Sequence, residues 1–454
     1  MKKSYMHIGH VGIVGAGMAG AVAAHNLVKA GFVVTVIEKE PQCGGRARST
    51  LVNGALPFFQ DHGGQFILDH YEDVMPLIKE TGIADDMIEI EPYTATFRGD
   101  RFRRINRKNS GTVYSEELVS PRACSQVENA YRHMAQRVGG LDPNRYTAWY
   151  EFDNGSADWW FRRSYGEEGA AYLAEPVFNG LFFHAMQYAP EIYAAWMISH
   201  LARRDRWHIM RRGTQSIPEA GLRCVRDVRL NTPVLEIGIG AEGKALVRTA
   251  DETLMLDAVI VTIPPPEAAG IISAPTVRQK LFLKNTHYWS TIVINLLLSS
   301  RLSDPNLNNA AMAMIPAEER CFFHNCPAAF SLESGKHKAI GAQELLGTHL
   351  MSHSAERLMQ EPDDIIAQAV IKDLAHFVPD MPHKLRDVHI TRWPLAIPKR
   401  SPGELLELTR FWWDQEIQTS PIYIAGDSTS FPTFGGAAWS GKKASNIIAK
   451  RFCR

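Results

Sequence analysis

The sequence predicts an α/β protein: a parallel strand–helix–strand unit at the amino terminus, completed by distant segments, beside a second unit of mixed sheet and helix. Three observations predict it. Val11-Gly12-Ile13-Val14-Gly15-Ala16-Gly17-Met18-Ala19-Gly20 is an apolar run ending in Gly-x-Gly-x-x-Gly. An Ala-rich helical stretch follows to Ala30, Gly31 breaks it, and the β-branched run 32–37 closes on Glu38-Lys39. At 454 residues the chain also exceeds one ordinary core, so two domains are expected.

The order strand, Gly-rich turn, helix, strand, acid is the order a dinucleotide site needs. Gly15 permits the tight turn, Gly17 lets backbone approach a pyrophosphate, and Gly20 lets helix and strand pack closely. The helix amino terminus offers N–H groups and a positive dipole end. Glu38 is placed for the ribose hydroxyls, and Ala16, Met18, Ala19 and Lys39 fall within the same contacts. A Gly-rich turn that merely packs is the competing reading, and the full strand–helix–strand–acid set outweighs it.

Composition limits the rest. Apolar content of 45% and charged content of 22% are those of a globular protein. Lys plus Arg equals Asp plus Glu at 49 each, so no whole-chain field points to nucleic acid or a membrane surface. Residues 1–10 are polar and basic, and no targeting segment is expected. The longest apolar run, 291–298, falls far short of the ~20 residues of a membrane span. Six cysteines form no Cys-x-x-Cys pair, which suits reduced thiols in a cytoplasm. Cys321, His324 and Cys326 have no second ligand cluster, so no metal site is expected.

Directly after Glu38-Lys39 comes Pro41-Gln42-Cys43-Gly44-Gly45-Arg46-Ala47-Arg48-Ser49. With this second motif the chain resembles the flavoprotein family of flavin amine oxidases, protoporphyrinogen oxidases and phytoene-type desaturases, in which Gly-Gly-Arg-x-x-Ser lies beside FAD. The residues agree: Gly44-Gly45 admits backbone near a ligand, and Arg46 and Arg48 can balance two phosphate charges. The resemblance implies a Rossmann-type FAD-binding domain in three discontinuous segments plus a mixed-sheet and helical substrate domain. The segments are 1–90, 205–275 and 385–454 for FAD, and 91–204 and 276–384 for substrate.

Taken in order, 58–66 reads as a turn between short strands. In the resembled family it runs along the flavin, which places Gly63, Gly64 and Gln65 at the cofactor. His62, the titratable ring in this loop, can act as a base or sit hydrogen-bonded to backbone. Residues 70–82 have helical spacing, and 94–108 form a basic hairpin turning at Gly99-Asp100. That charge run reads as a solvated face or, more sharply, as a collar for an anionic or carrier-bound substrate. The cluster 203–212 is basic too, but no nucleic-acid module accompanies it. Residues 120–201 are mostly helical and dense in aromatics, most of them core and a minority lining an apolar cavity.

Residues 212–218 open a helix on the return to the first domain, and 228–237 read as a strand whose Val234 aligns with an adenine contact. A hairpin follows (245–250 and 254–263), and Pro264-Pro265 marks the crossover. Strands are expected at 291–298 and 337–346, a helix at 363–377, and a returning strand at 388–398. Ile422-Tyr423-Ile424-Ala425-Gly426-Asp427 is a strand, and Gly436-Ala437-Ala438 opens the last helix. In relatives Gly426 and Asp427 touch the ribityl and pyrophosphate, and the Gly436-Ala437 amides point at the flavin. At least one of Trp393, Phe434 and Trp439, which flank the motifs nearest the flavin in relatives, is expected to contact the ring or the substrate.

The chemistry implied is that of an FAD oxidase or dehydrogenase. It desaturates a C–N or C–C bond of a small, partly apolar metabolite and passes electrons to O2 or another acceptor. The alternatives are a flavin isomerase, reductase or hydroxylase, or a flavin-binding partner protein without turnover. No lysine stands in 288–294, where the amine oxidase branch carries one, and Lys284 lies several residues early. This argues against close kinship with monoamine or polyamine oxidases. No cysteine lies in 392–425, where one branch links its flavin, so FAD is expected to be held non-covalently.

Overall fold

Val11, Ile13 and Val14 are fully or almost fully buried, because the strand that carries them lies at the centre of a sheet covered on both faces. In the computed structural model, residues 9–52, 57–91, 93–106, 117–138, 149–203, 205–334 and 343–452 are described. The sheet runs Asp227–Arg229, Val33–Ile37, His10–Val14, Ala258–Val261, Ile422–Ile424, and every neighbouring pair is parallel. The helix Met18–Lys29 connects its first two strands and packs on the last helix, Phe434–Phe452. A small antiparallel sheet, Glu236–Ile239, Ala245–Arg248 and Thr253–Leu256, shares the same apolar core.

Two expected strands break where the chain changes sheets. The run 228–237 is not one strand: Asn231 takes a positive φ of 51°, and the amides of Asn231 and Thr232 bond Glu40 and Glu38 carbonyls. Pro233, which has no amide to give a ladder, follows at once. The run 254–263 divides at Asp257, whose carboxylate accepts the His10 amide at 2.7 Å, so Leu256 ends one sheet and Ala258 begins the other.

The second sheet has seven strands: Leu385–Pro398, Tyr288–Leu298, Glu344–His349, Ala329–Ser334, Ala310–Met314, Tyr93–Arg98 and Arg101–Asn106. Only Ala310–Met314 against Tyr93–Arg98 is parallel. The basic hairpin forms as expected, its residues 107 and 108 lying outside the described residues. The strand expected at 337–346 is described as Glu344–His349, with 337–342 outside the described residues. Leu385–Pro398, assigned from sequence to the nucleotide unit, pairs along its length with Tyr288–Leu298 and so belongs to this larger sheet.

The helices Pro121–Val138, Ala157–Gly169, Glu175–Phe182 and Ile192–Arg203 gather around an aromatic core that includes Trp149, Phe161, Phe178 and Tyr193. A three-stranded strip, Ile67–Leu68, Trp207–Met210 and Met87–Glu89, lies between this helical layer and the parallel sheet in sequence. No helix among the described residues is long and apolar enough to cross a membrane.

Candidate active site

The two glycine motifs meet. Gly44 donates its amide to the Ala16 carbonyl at 2.9 Å, and Gly17 bridges Gly44 directly. Thr262 ties the turn down from below, donating its hydroxyl to the Val14 and Gly15 carbonyls, both at 2.9 Å. Gly20 is fixed by close packing: a Cβ there would meet the Gly15 carbonyl oxygen at 2.0 Å. Gly17 is different, since a Cβ would find nothing nearer than 3.9 Å. Its surroundings are open because it stands on the wall of a cavity of about 630 Å³.

That cavity is the candidate site. At one end are Gly15, Gly17, Met18, Ala19, Glu38, Lys39 and Gly45. The helix Met18–Lys29 begins on its wall, so first-turn amides and the positive dipole end are available there. Glu38 is 8% exposed and accepts the amides of Ala16 (2.8 Å) and Glu40 (3.0 Å), which leaves each oxygen further accepting capacity. Lys39 bonds Glu267. Open backbone at Gly17, a helix start and a held carboxylate are a donor and acceptor set that fits a dinucleotide.

The Arg46 guanidinium does not stand ready for phosphate. It is bidentate to Asp427, 2.7 Å on both arms, and also donates to the Ala396 carbonyl. Burial alone would lower the Arg46 pKa, but the Asp427 carboxylate beside it outweighs that and holds it above its ordinary range. A guanidinium out of water requires a carboxylate, so Arg46 and Asp427 are used first on each other. Arg48 sits 3.5 Å from Glu40 and over the Trp393 ring. The Gly436 and Ala437 amides are likewise taken, by the Thr433 hydroxyl and carbonyl, as an N-cap. Gly426, Asp427, Phe434 and Ala437 line the cavity, while Gly436 and Ala438 pack behind it. Val234 is also off the wall, packed with Cys43 against the parallel-sheet core.

Of the expected flavin-face residues, Trp393 and Phe434 line the cavity, with Phe434 against Gly64. Trp439 does not: it faces Trp412 edge-on at 5.6 Å inside the parallel-sheet core. His62 is also off the wall. Its ring is held between Thr50 Oγ1 (2.6 Å) and Thr391 Oγ1 (3.1 Å), so both nitrogens are engaged and no base is presented to the cavity. Thr291 stands on the wall near where relatives carry a lysine, and Lys284 is exposed on the helix Val277–Asn285.

Beyond Gly63, Gly64 and Gln65 the cavity opens between helix and large sheet. Its walls there are Phe182, Phe183, Trp196, Trp207, Met312 and Phe330, with Ser331 and His349 among them. From the aromatic-dense stretch 120–201, Phe182, Phe183 and Trp196 reach the cavity. The described arginines of the hairpin are not on the cavity wall: Arg98 pairs with Glu168 and stacks on Tyr172, and Arg104 lies over Tyr93. His349 was missed by sequence reasoning. Its sole signal is one histidine two residues after Gly347 in an apolar strand.

Behind Tyr71 and Trp196, Asp205 lies 2.7 Å from His70 Nδ1 and 3.2 Å from His200 Nδ1. This is the one group among the described residues with three donors close enough for a metal. The Asp205 carboxylate thus stands between two histidine rings and holds the group together on its own.

Residues 18–449 match the sequence profile of the flavin containing amine oxidoreductases. The chain belongs to that family. Among curated relatives, a putrescine oxidase of Kocuria rosea is 30% identical over 158 residues, 35% of this chain and 32% of that protein. The chain thus spans about a third of the putrescine oxidase it matches. An L-amino-acid oxidase of Siganus canaliculatus is 22% identical over 93% of this chain and 81% of its own. Among solved structures, an Exiguobacterium sp. 255-15 protein provisionally named protoporphyrinogen oxidase superposes with a TM-score of 0.77 at 16% identity, covering 98% and 100% of the two chains. That likeness is one of fold. Sequence kinship to named amine oxidases of this flavin family stands at 30% identity or less.

Proposed function

We propose that the chain binds FAD without a covalent bond and oxidises a small, partly apolar metabolite at a C–N or C–C bond. The observation that carries this reading is continuity. One cavity joins a dinucleotide-type cradle at Gly17 and Glu38 to an aromatic chamber at Phe183 and Phe330. FAD, when bound, supplies the hydride acceptor.

The chain's own residues do the rest. The Gly15–Gly20 turn and Glu38 hold the nucleotide half. Trp393 and Phe434 exclude water at the junction, where the Gly63–Gln65 loop meets the last helix. The aromatic chamber orients the substrate. No cysteine among the described residues lines the cavity, which supports a non-covalent cofactor. Burial first, then Glu219, pushes the Cys43 thiol up to about 11, so it is inert. The five described cysteines are unpaired, in keeping with a reducing compartment such as the cytoplasm. In this reading 1–90, 205–275 and the C-terminal stretch form the flavin unit and 91–204 with 276–384 the substrate unit. The strand Leu385–Pro398 joins the two.

Purified protein should be yellow and should bleach anaerobically with substrate; peroxide release on reoxidation in air distinguishes an oxidase from a dehydrogenase. Glu38→Ala should release flavin during gel filtration, since losing charge-assisted hydrogen bonds costs roughly 1.5–3 kcal/mol each. Stoichiometric flavin retained by that variant would mean that Glu38 does not hold the ribose.

A further inference from the structure

One corner of the aromatic chamber is polar. It is where the Gly63–Gln65 loop meets the strands Ala329–Ser334 and Glu344–His349. Gln65 Nε2 donates to the buried Glu333 carboxylate. With the nitrogen given to Glu333, the Gln65 Oε1 faces away from it. Gln65 is on the cavity wall, and its Oε1 has no partner among the described residues.

His349 stands on the other side of the same loop. Its ring lies parallel to Phe183, 5.5 Å between centroids and 7° between planes, and is hydrogen-bonded to the Gly63 backbone. Burial pushes its pKa down to about 4, so the ring is neutral at physiological pH. A neutral imidazole that gives its one N–H to a carbonyl keeps a lone pair on the other nitrogen. Gly347, two residues earlier on the same face, packs closely on the neighbouring strands and stands beside Gln65: a Cβ there would lie 2.9 Å from Ser331 Oγ, 3.0 Å from Asn295 Oδ1 and 4.0 Å from Gln65 Nε2. Two acceptors therefore share one corner, and both are uncharged. The charged residues on the wall lie at the nucleotide end or are committed: Arg46 and Asp427 to each other, Arg48 beside Glu40 and over Trp393, and Arg392 to the Met359 and Glu361 carbonyls and Asp363.

We propose that Gln65 Oε1 and the free ring nitrogen of His349 form the polar anchor of the substrate, accepting hydrogen bonds from an uncharged N–H or O–H group beside the C–H bond to be oxidised. The rest of the substrate is a flat apolar body held among the surrounding rings. Glu333 is a positioning residue that acts through Gln65. The anchor is a recognition device, and no bond is made or broken at it. It rests on the flavin oxidoreductase reading of the same cavity.

The test uses the flavin-loaded full chain at a pH high enough that both amines are the neutral bases, with three probes: benzylamine, benzyl alcohol and N,N-dimethylbenzylamine, which as the free base has no donor. Binding is read from perturbation of the flavin absorbance, and reduction from anaerobic bleaching. At least one donor probe should bind about tenfold more tightly than the dimethyl amine, as one hydrogen bond in a desolvated site gives. The amine and alcohol arms show whether the donor is N–H or O–H. Gln65→Met and His349→Phe should each erase most of that preference, read on the fraction of protein that carries flavin. Glu333→Gln, which frees the Gln65 amide to turn, should weaken the preference several-fold. A parent that binds the dimethyl amine as tightly as both donors overturns the anchor without any variant. So does a flavin-loaded parent that binds none of the three, and so do variants that keep the full preference. A chain that takes up no flavin overturns instead the reading beneath it.

Discussion

The two ends of the cavity are built from different materials. The nucleotide end is made of backbone: a turn with Gly15 at φ 103°, a helix start, and amides bonded across to Ile37 and Ala16 carbonyls. The substrate end is made of side chains from segments near residues 65, 183, 196, 312, 330 and 349. The first has little freedom to vary, because backbone geometry admits few residues; the second can be relined one side chain at a time on an unchanged frame. The fold therefore fixes the cofactor end and leaves the substrate end open to choice.

Acid should separate the two ends most. His184, His200 and His349 belong to the helical and large-sheet half, and burial, the leading cause in each, lowers them to about 4, 3 and 4. Above pH ~6.5 these rings are neutral both folded and unfolded, so the stability is complete there. As pH falls below 6.5 the unfolded chain binds protons that the folded chain refuses until about pH 4. Stability then drops by up to about 1.4 kcal/mol per pH unit per ring, on the order of 8 kcal/mol in all by pH 4.5. Urea midpoints across pH 4.5–7.5 measure this; replacing all three rings by Gln should flatten the slope.

Next in size is a contrast within the nucleotide end. Gly20→Val should destabilise the protein by about 3 kcal/mol or more even without flavin, because its Cβ collides with the Gly15 carbonyl at 2.0 Å. Gly17→Ala has open space around it and should change apo stability by less than about 0.5 kcal/mol while weakening flavin retention. Equal effects in the two variants would erase the distinction between a packing glycine and a ligand glycine.

Arg46→Ala tests the junction. It strands the Asp427 carboxylate, and the full penalty for breaking a buried pair, about 3–5 kcal/mol, should shrink to roughly 2–3 because the pair opens onto the cavity. Thermal unfolding reads it, and Arg46→Ala/Asp427→Asn should recover part of the loss. The smallest effect falls on the rings. Phe434→Ala should slow anaerobic flavin reduction roughly tenfold with flavin bound. Trp439→Ala should lower stability and leave that rate alone, since Trp439 packs on Trp412 away from the cavity.

What could be read in advance follows the same division. Gly15, Gly17, Gly20 and Glu38 were legible because backbone turns demand particular residues at particular spacings. The hairpin at 93–106 and the aromatic helical core were legible from alternation and composition. Arg46 and Asp427 were visible as residues but not as a pair, because nothing local links positions 381 residues apart. His62 stood out as a ring in a Gly-rich loop, yet two threonines claim both its nitrogens. His349 stood out not at all, since a cavity-facing side chain in a strand carries no spacing rule that marks it.

The parallel sheet has a history as well as a shape. Its central strand, His10–Val14, is flanked by Val33–Ile37 and by Ala258–Val261, and the far edge, Ile422–Ile424, is separated from it by roughly 400 residues of chain. At about 5–20 residues per second of synthesis, that edge leaves the ribosome on the order of 20–80 s after the strand it helps to bury. For that interval the first helix also lacks the last one, which in the finished protein crosses so closely that a Cβ at Gly441 would sit 2.1 Å from the Ala19 carbonyl. The nascent chain thus carries a finished-looking strand–helix–strand unit with one naked apolar flank through most of its translation. That flank stays uncovered until the last helix is made.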